Sequence, residues 1–169
     1  MLMFSPKELE SIRKDRIFTK SINNKKYWIK PLFEYQSYSL GNHQNHRRYF
    51  KILNKYFDKH MPKTKFEKFN LNGKEILLII QEDVKGRRIN TLKELKHYVD
   101  LKKNRKFKIG LKKLLENKSL VIDLYVYKGN FVRTGDGFLI YIDSRMPVFV
   151  DPSEERYNVS KKRTLKLLK

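Results

Sequence analysis

The chain has 169 residues, 40% of them hydrophobic and 13% aromatic, enough apolar mass to build a packed core and to exclude wholesale disorder. Thirty-nine Lys and Arg against 18 Asp and Glu give a net charge of +21, which predicts attraction to polyanions such as nucleic acid or phosphate-rich ligands. There is no cysteine, which removes disulfide scaffolds, Cys-ligated zinc, iron–sulfur clusters and thiol nucleophiles. No apolar run approaches the roughly 20 residues that span a bilayer. The opening MLMFSPKELESIRKDR turns charged too early for a secretory signal. A cytoplasmic location and no transmembrane segment are therefore expected.

Ser5-Pro6 ahead of Lys7-Glu8 reads as a capped helix start with proline in the first turn, and predicts a helix over 6–14. Residues 16–32 hold two apolar, aromatic-rich runs around Asn23-Asn24, a hairpin signal, with Trp28 and Lys30 on one strand face. Over 44–57, apolar residues at Tyr49, Phe50, Leu53, Tyr56 and Phe57 follow a 3.6-residue period and predict an amphipathic helix, ended by His60-Met61-Pro62. KFEKFNL, Asn72-Gly73 and KEILLIIQEDV form a second hairpin. Its unbroken apolar stretch over 76–80 predicts a central strand buried on both faces. Gly86, Arg87 and Arg88 interrupt the pattern. The capping-box sequence TLKE at Thr91 then starts a helix to about Leu101, LKKNRKFK interrupts, and a further helix covers about 106–115. Short strands near 130–133 and over 138–143 flank Gly135-Asp136-Gly137. The tail SKKRTLKLLK is basic and weakly amphipathic. This order predicts an α+β protein with mainly antiparallel strands, not a doubly wound sheet.

The richest stretch for chemistry is 121–143, VIDLYVYKGNFVRTGDGFLIYID. A hairpin from Asn130 to Asp143 returns the chain on itself, so an amide and a carboxylate oxygen can approach. Magnesium takes such oxygens and completes its shell with water or phosphate. Asp123, ahead of the loop, can orient a hydroxyl or a water. The plainer reading is that Asp and Asn cap strands and make turns.

With its upstream neighbours, this stretch resembles the protein kinase-like fold in its small atypical and bacterial branches. Four pieces match in order over roughly 16–150. YWIK supplies Lys30, resembling the strand lysine that grips phosphates. ILLIIQEDVKG resembles the strand entering the hinge, with Glu82 and Val84 where backbone groups bind adenine. VIDLYVYKGN resembles the catalytic loop, with Asp123 as its aspartate and Asn130 as the metal-binding asparagine. FLIYIDSRMP places Asp143 where the second metal ligand, the DFG aspartate, would stand.

The resemblance implies a single kinase-like domain over 1–169. It would have a small antiparallel-sheet N-lobe over 16–84, a reduced helical C-lobe over 85–150 and a basic tail over 151–169. It also implies ATP and Mg2+ as cofactors and a phosphoacceptor the sequence does not identify. The chain departs from the family pattern at several points. Seven positions separate Asp123 from Asn130 where H-R-D-L-x-x-x-N has five, and no His-Arg precedes Asp123. No G-x-G-x-x-G lies before Lys30, the helix over 44–57 has no acidic residue, and Ser144-Arg145 follows Asp143 in place of Phe-Gly. The chain is thus either a minimal phosphotransferase or a relic that binds nucleotide or a partner without turnover.

Other patterns compete. His43 and His46 form H-x-x-H without a nearby third ligand, so solvated or capping histidines are expected there. Glu82, Asp83 and Lys85 could serve a nuclease if Glu67 or Glu75 supplied a second acidic ligand. Basic runs at 13–14, 46–55, 102–113 and 161–169, interleaved with Tyr49, Phe50, Tyr56 and Phe107, suit a non-catalytic nucleic-acid-binding module as the alternative function. The helical spacing of those aromatics equally suits a core.

Overall fold

The computed structural model describes residues 3–33, 43–117, 129–142 and 155–169. The chain divides into two compact units, Met1–His43 with Lys63–Asp83, and Gln44–Pro62 with Val84–Lys169. The architecture is α+β with antiparallel strands, as the pattern predicts. Residues 44–62 group with the second unit, although they sit between the two hairpins of the first.

In the first unit, helix α1 (Pro6–Arg13) starts in a full capping box. Ser5 Oγ accepts from the Glu8 N–H, and the Glu8 carboxylate accepts from the Ser5 N–H at 2.7 Å. Strands β1 (Phe18–Ile22) and β2 (Lys25–Phe33) are joined by Asn23 and Asn24, both left-handed at φ 49° and 61°. Asparagine tolerates that conformation, and the turn it makes matches strand twist. Strands β3 (Thr64–Leu71) and β4 (Lys74–Glu82) close through Asn72-Gly73, whose φ values are 53° and 80°. The sheet order β1-β2-β4-β3 makes β4 a central strand. Ile76, Leu77, Leu78, Ile79 and Ile80 are all buried, so both faces are covered as the apolar run predicts. One face packs Ile29, Phe33, Ile76, Leu78 and Ile80 against Ile12 of α1. The other clusters Leu32, Leu77 and Ile79 with Phe66. Each such aliphatic side chain contributes on the order of 2 kcal/mol gross from burial.

The second unit holds α2 (His43–Phe57), a 3-10 turn at Asp58–His60, β5 (Arg87–Arg88), α3 (Leu92–Asp100), a 3-10 turn at Lys102–Asn104, α4 (Arg105–Glu116), β6 (Phe131–Arg133), β7 (Leu139–Tyr141) and α5 (Glu155–Leu168). Of the period-3.6 apolar residues of α2, Tyr49, Leu53 and Phe57 are fully buried, Phe50 is nearly so and Tyr56 is half-buried. Phe57 meets Phe107 of α4 at 4.8 Å between ring centroids, and Phe131 of β6 meets Tyr141 of β7 at 5.2 Å.

Four sequence expectations change. Arg87 and Arg88, read as a pattern break, form a strand paired with Arg133 and Val132, giving a sheet of order β5-β6-β7. The weakly amphipathic tail lies within a 14-residue helix, with Ser160, Thr164 and Leu167 buried along one stripe. His46, expected to be solvated or capping, is buried. At the start of α3, Thr91 accepts from the Glu94 N–H, but the Glu94 carboxylate reaches back to the Asn90 N–H, one residue short of a reciprocal box.

Candidate functional site

The hairpin that carries Asn130 is built by local chemistry. Within its turn the Thr134 hydroxyl donates to Asp136 and accepts from the Phe138 N–H. The Thr134 contact, ahead of the backbone and Lys103, holds the exposed Asp136 carboxyl below its ordinary range. Strand pairing then runs Arg133 to Leu139, Val132 to Ile140 and Phe131 to Tyr141. It continues one step further, because Ile142 N–H donates to the Asn130 carbonyl at 2.9 Å. Asn130, itself buried, is thereby fixed beside the residue that precedes Asp143. On its other side Gly129 takes φ +69°, and its carbonyl accepts from the Arg88 guanidinium. Asp123 and Asp143 lie outside the described residues.

Two buried polar side chains that the sequence reading did not single out for this role hold the same hairpin. The Leu139 carbonyl accepts from His60 Nδ1 at 2.7 Å, and the Leu139 N–H donates to Asn104 Oδ1 at 2.9 Å. Asn104 Nδ2 donates to the carbonyls of Tyr98 and Gly137. His60 stacks on Phe138 at 4.2 Å. Burial is the main cause that pushes His60 below its ordinary pKa, and because the Leu139 carbonyl can only accept, Nδ1 carries a proton. His60 opens the helix-ending signal His60-Met61-Pro62 and Asn104 interrupts a lysine run, so no periodic pattern marks either.

A third missed residue is Lys161 of α5. Its ammonium donates to the carbonyls of Leu114, Leu115 and Asn117, tying off the last turn of α4 directly before 118–128. Burial pushes this lysine down from 10.5 to about 8. The unsatisfied carbonyls at a helix C-terminus are the natural partners of a cation.

In the first unit, Lys30 is buried on β2, and its Nζ donates to Gln81 Oε1 of β4 at 2.6 Å. Lys30 stands opposite Ile79, and Trp28 stands opposite Gln81. Lys30 and Gln81 are thus diagonal neighbours on one face, within reach of long side chains. Trp28 Nε1 donates to Asp83 at 2.6 Å, and Lys26 lies 3.9 Å from the same carboxylate. Asp83 therefore has a structural role, which weakens it as a nuclease ligand. Among the described residues no cluster of three or more His, Asp or Glu is placed to hold a metal ion.

The two hinge candidates differ. Glu82 ends β4, and its N–H donates to the Lys63 carbonyl at 2.9 Å. Val84 lies past the strand, and its backbone N–H and C=O have no partner among the described residues. Lys30 and Glu82 belong to the first unit, Val84 and Asn130 to the second. Among the described residues no helix is long and apolar enough to cross a membrane. Comparison with protein-family models, with curated proteins and with solved structures gives no match.

Proposed function

We propose that the chain is a kinase-like phosphotransferase that uses ATP with Mg2+. The observation that supports this reading is the Ile142-to-Asn130 backbone hydrogen bond, which pairs Asn130 with the residue that precedes Asp143. An amide oxygen and a carboxylate suit a hard divalent cation that keeps phosphate oxygens in its shell. Bound there, Mg2+ would neutralise charge on the phosphates.

The first unit supplies support of a different kind. Lys30 stands beside Ile79, and β4 runs on three residues to Glu82, roughly 10 Å at strand rise. That is about the span from a nucleotide's phosphates to its purine. Val84 follows in sequence, and in this reading its backbone groups, which have no partner among the described residues, meet an adenine edge. Phosphoryl transfer asks little covalent chemistry of a protein; positioning and charge neutralisation carry it. In this reading Lys30 binds the phosphates, Asn130 and Asp143 bind the metal, and Asp123 orients the acceptor hydroxyl.

The test is thermal unfolding with ATP, with and without Mg2+. A ligand at 100 times its Kd that binds only the folded state adds about 2.7 kcal/mol. The midpoint should rise with Mg–ATP, and Asp143→Asn should abolish the magnesium-dependent part. No shift in the wild-type chain, together with steeply salt-dependent binding to RNA or DNA, would replace this function with the nucleic-acid-binding alternative.

A further inference from the structure

Gln81 is 2% exposed, deeper than the lysine it holds at 8%. An ammonium can only donate, so the Gln81 atom bonded to Lys30 is its oxygen, and the amide nitrogen takes no part in that bond. That nitrogen, Nε2, is buried and has no hydrogen-bond partner among the described residues. On the same sheet face the residues directly across from it are Trp28 and Thr64, and neither accepts from Nε2. A buried amide donor left open carries a desolvation cost that native structures seldom keep without reason. Here the open donor is carried by the side chain that also fixes the candidate phosphate-binding lysine.

We infer that Gln81 is a ligand-binding residue in its own right: its Oε1 holds Lys30, and its Nε2 donates to an acceptor atom of the nucleotide bound at Lys30. The inference rests on the proposed nucleotide site and adds to it a specific contact. An ammonium and an amide N–H side by side make a two-donor subsite. It suits a phosphate oxygen or a purine acceptor, and it disfavours a ligand group that is itself a donor.

The experiment compares Mg–ATP affinity by calorimetry in the wild-type chain and in Gln81→Met, and follows the Gln81 side-chain amide by NMR. The Gln81 signals are identified by their loss in the variant. Gln81→Met should bind at least tenfold more weakly, the fold-change for a buried hydrogen bond to a charged acceptor. On saturation with Mg–ATP one Nε2 proton should move downfield and become protected from exchange, which a residue that merely braces Lys30 would not show. If Gln81→Met does not fold, Gln81→Glu replaces it, because a carboxylate still accepts from Lys30 but lacks the donor. Magnesium tripolyphosphate separates the two acceptor sources: a loss shared with ATP assigns a phosphate oxygen, and a loss confined to ATP assigns the purine. Binding within twofold of wild type, or unmoved Nε2 protons, overturns the inference and leaves the proposed function standing. Absence of Mg–ATP binding in the wild-type chain overturns both.

Discussion

His60 Nδ1 lies 2.7 Å from the carbonyl oxygen of Leu139, a bond between residues 79 positions apart that pins β7 from below. Protonating His60 would add a charge to a fully buried ring stacked on Phe138, with Lys59 and Lys106 opposing that charge and Asp58 favouring it. Its folded pKa is therefore below the ordinary histidine value of 6.5. The unfolded chain binds a proton first as pH falls, so this contribution to stability is complete above about 6.5 and is lost progressively below it. Chemical denaturation at pH 7.5 and 5.5 should show lower stability at the acid end. His60→Gln should flatten the difference, and a slope unchanged in that variant would remove His60 as its cause.

Asn104 makes three bonds to backbone groups, to Tyr98 O, Gly137 O and Leu139 N, all from a fully buried side chain. Asn104→Ala would strand two carbonyls and one N–H without water. At about 1 kcal/mol or more for each orphaned group, the variant should lose about 3 kcal/mol, read as a lower denaturant midpoint at unchanged slope.

The fold was far more legible in the sequence than the site. Periodicity placed α2, the Asn-Asn and Asn-Gly steps placed both hairpins of the first sheet, and an unbroken apolar run marked β4 as central. These signals are local, carried by consecutive residues. What stayed hidden depends on long-range partners. Two arginines become a strand because Arg133 and Val132 lie opposite them. A lysine in the last helix becomes a cap because α4 ends beside it. A hairpin starting at Asn130 is legible from its tight Gly-Asp-Gly turn, but the sequence runs it to Asp143, and the bond from Ile142 to Asn130 is visible only in the register. The Lys30–Gln81 contact was not legible, because only the cross-strand register makes them diagonal neighbours.

By helix propensity alone, Gly110 costs α4 roughly 1 kcal/mol against alanine. Its packing reverses that judgement. A Cβ at this position would stand 2.6 Å from the Tyr56 carbonyl oxygen and 2.7 Å from Phe57 Cδ1, so α2 approaches α4 through the missing side chain. Gly110→Ala should therefore destabilise, by about 2 kcal/mol net of the propensity gain. A thermal midpoint at or above wild type would show that the two helices can separate at little cost.

Gly129 is a sharper test of how Asn130 is presented. At φ +69° it occupies the left-handed region, where an L-residue is strained by about 1–2 kcal/mol, and a Cβ would meet Arg88 Cδ at 3.4 Å. The following residue cannot easily relax, because the Asn130 carbonyl is held by Ile142 N–H. Gly129→Ala should thus loosen this end of the hairpin before anything else. Hydrogen exchange at the Ile142 amide should accelerate about fivefold or more, the factor that corresponds to 1 kcal/mol. Amides in the middle of β4 should be unchanged. Equal acceleration at both places would mean that the strain is felt by global unfolding and that the Asn130 end has no local stability of its own.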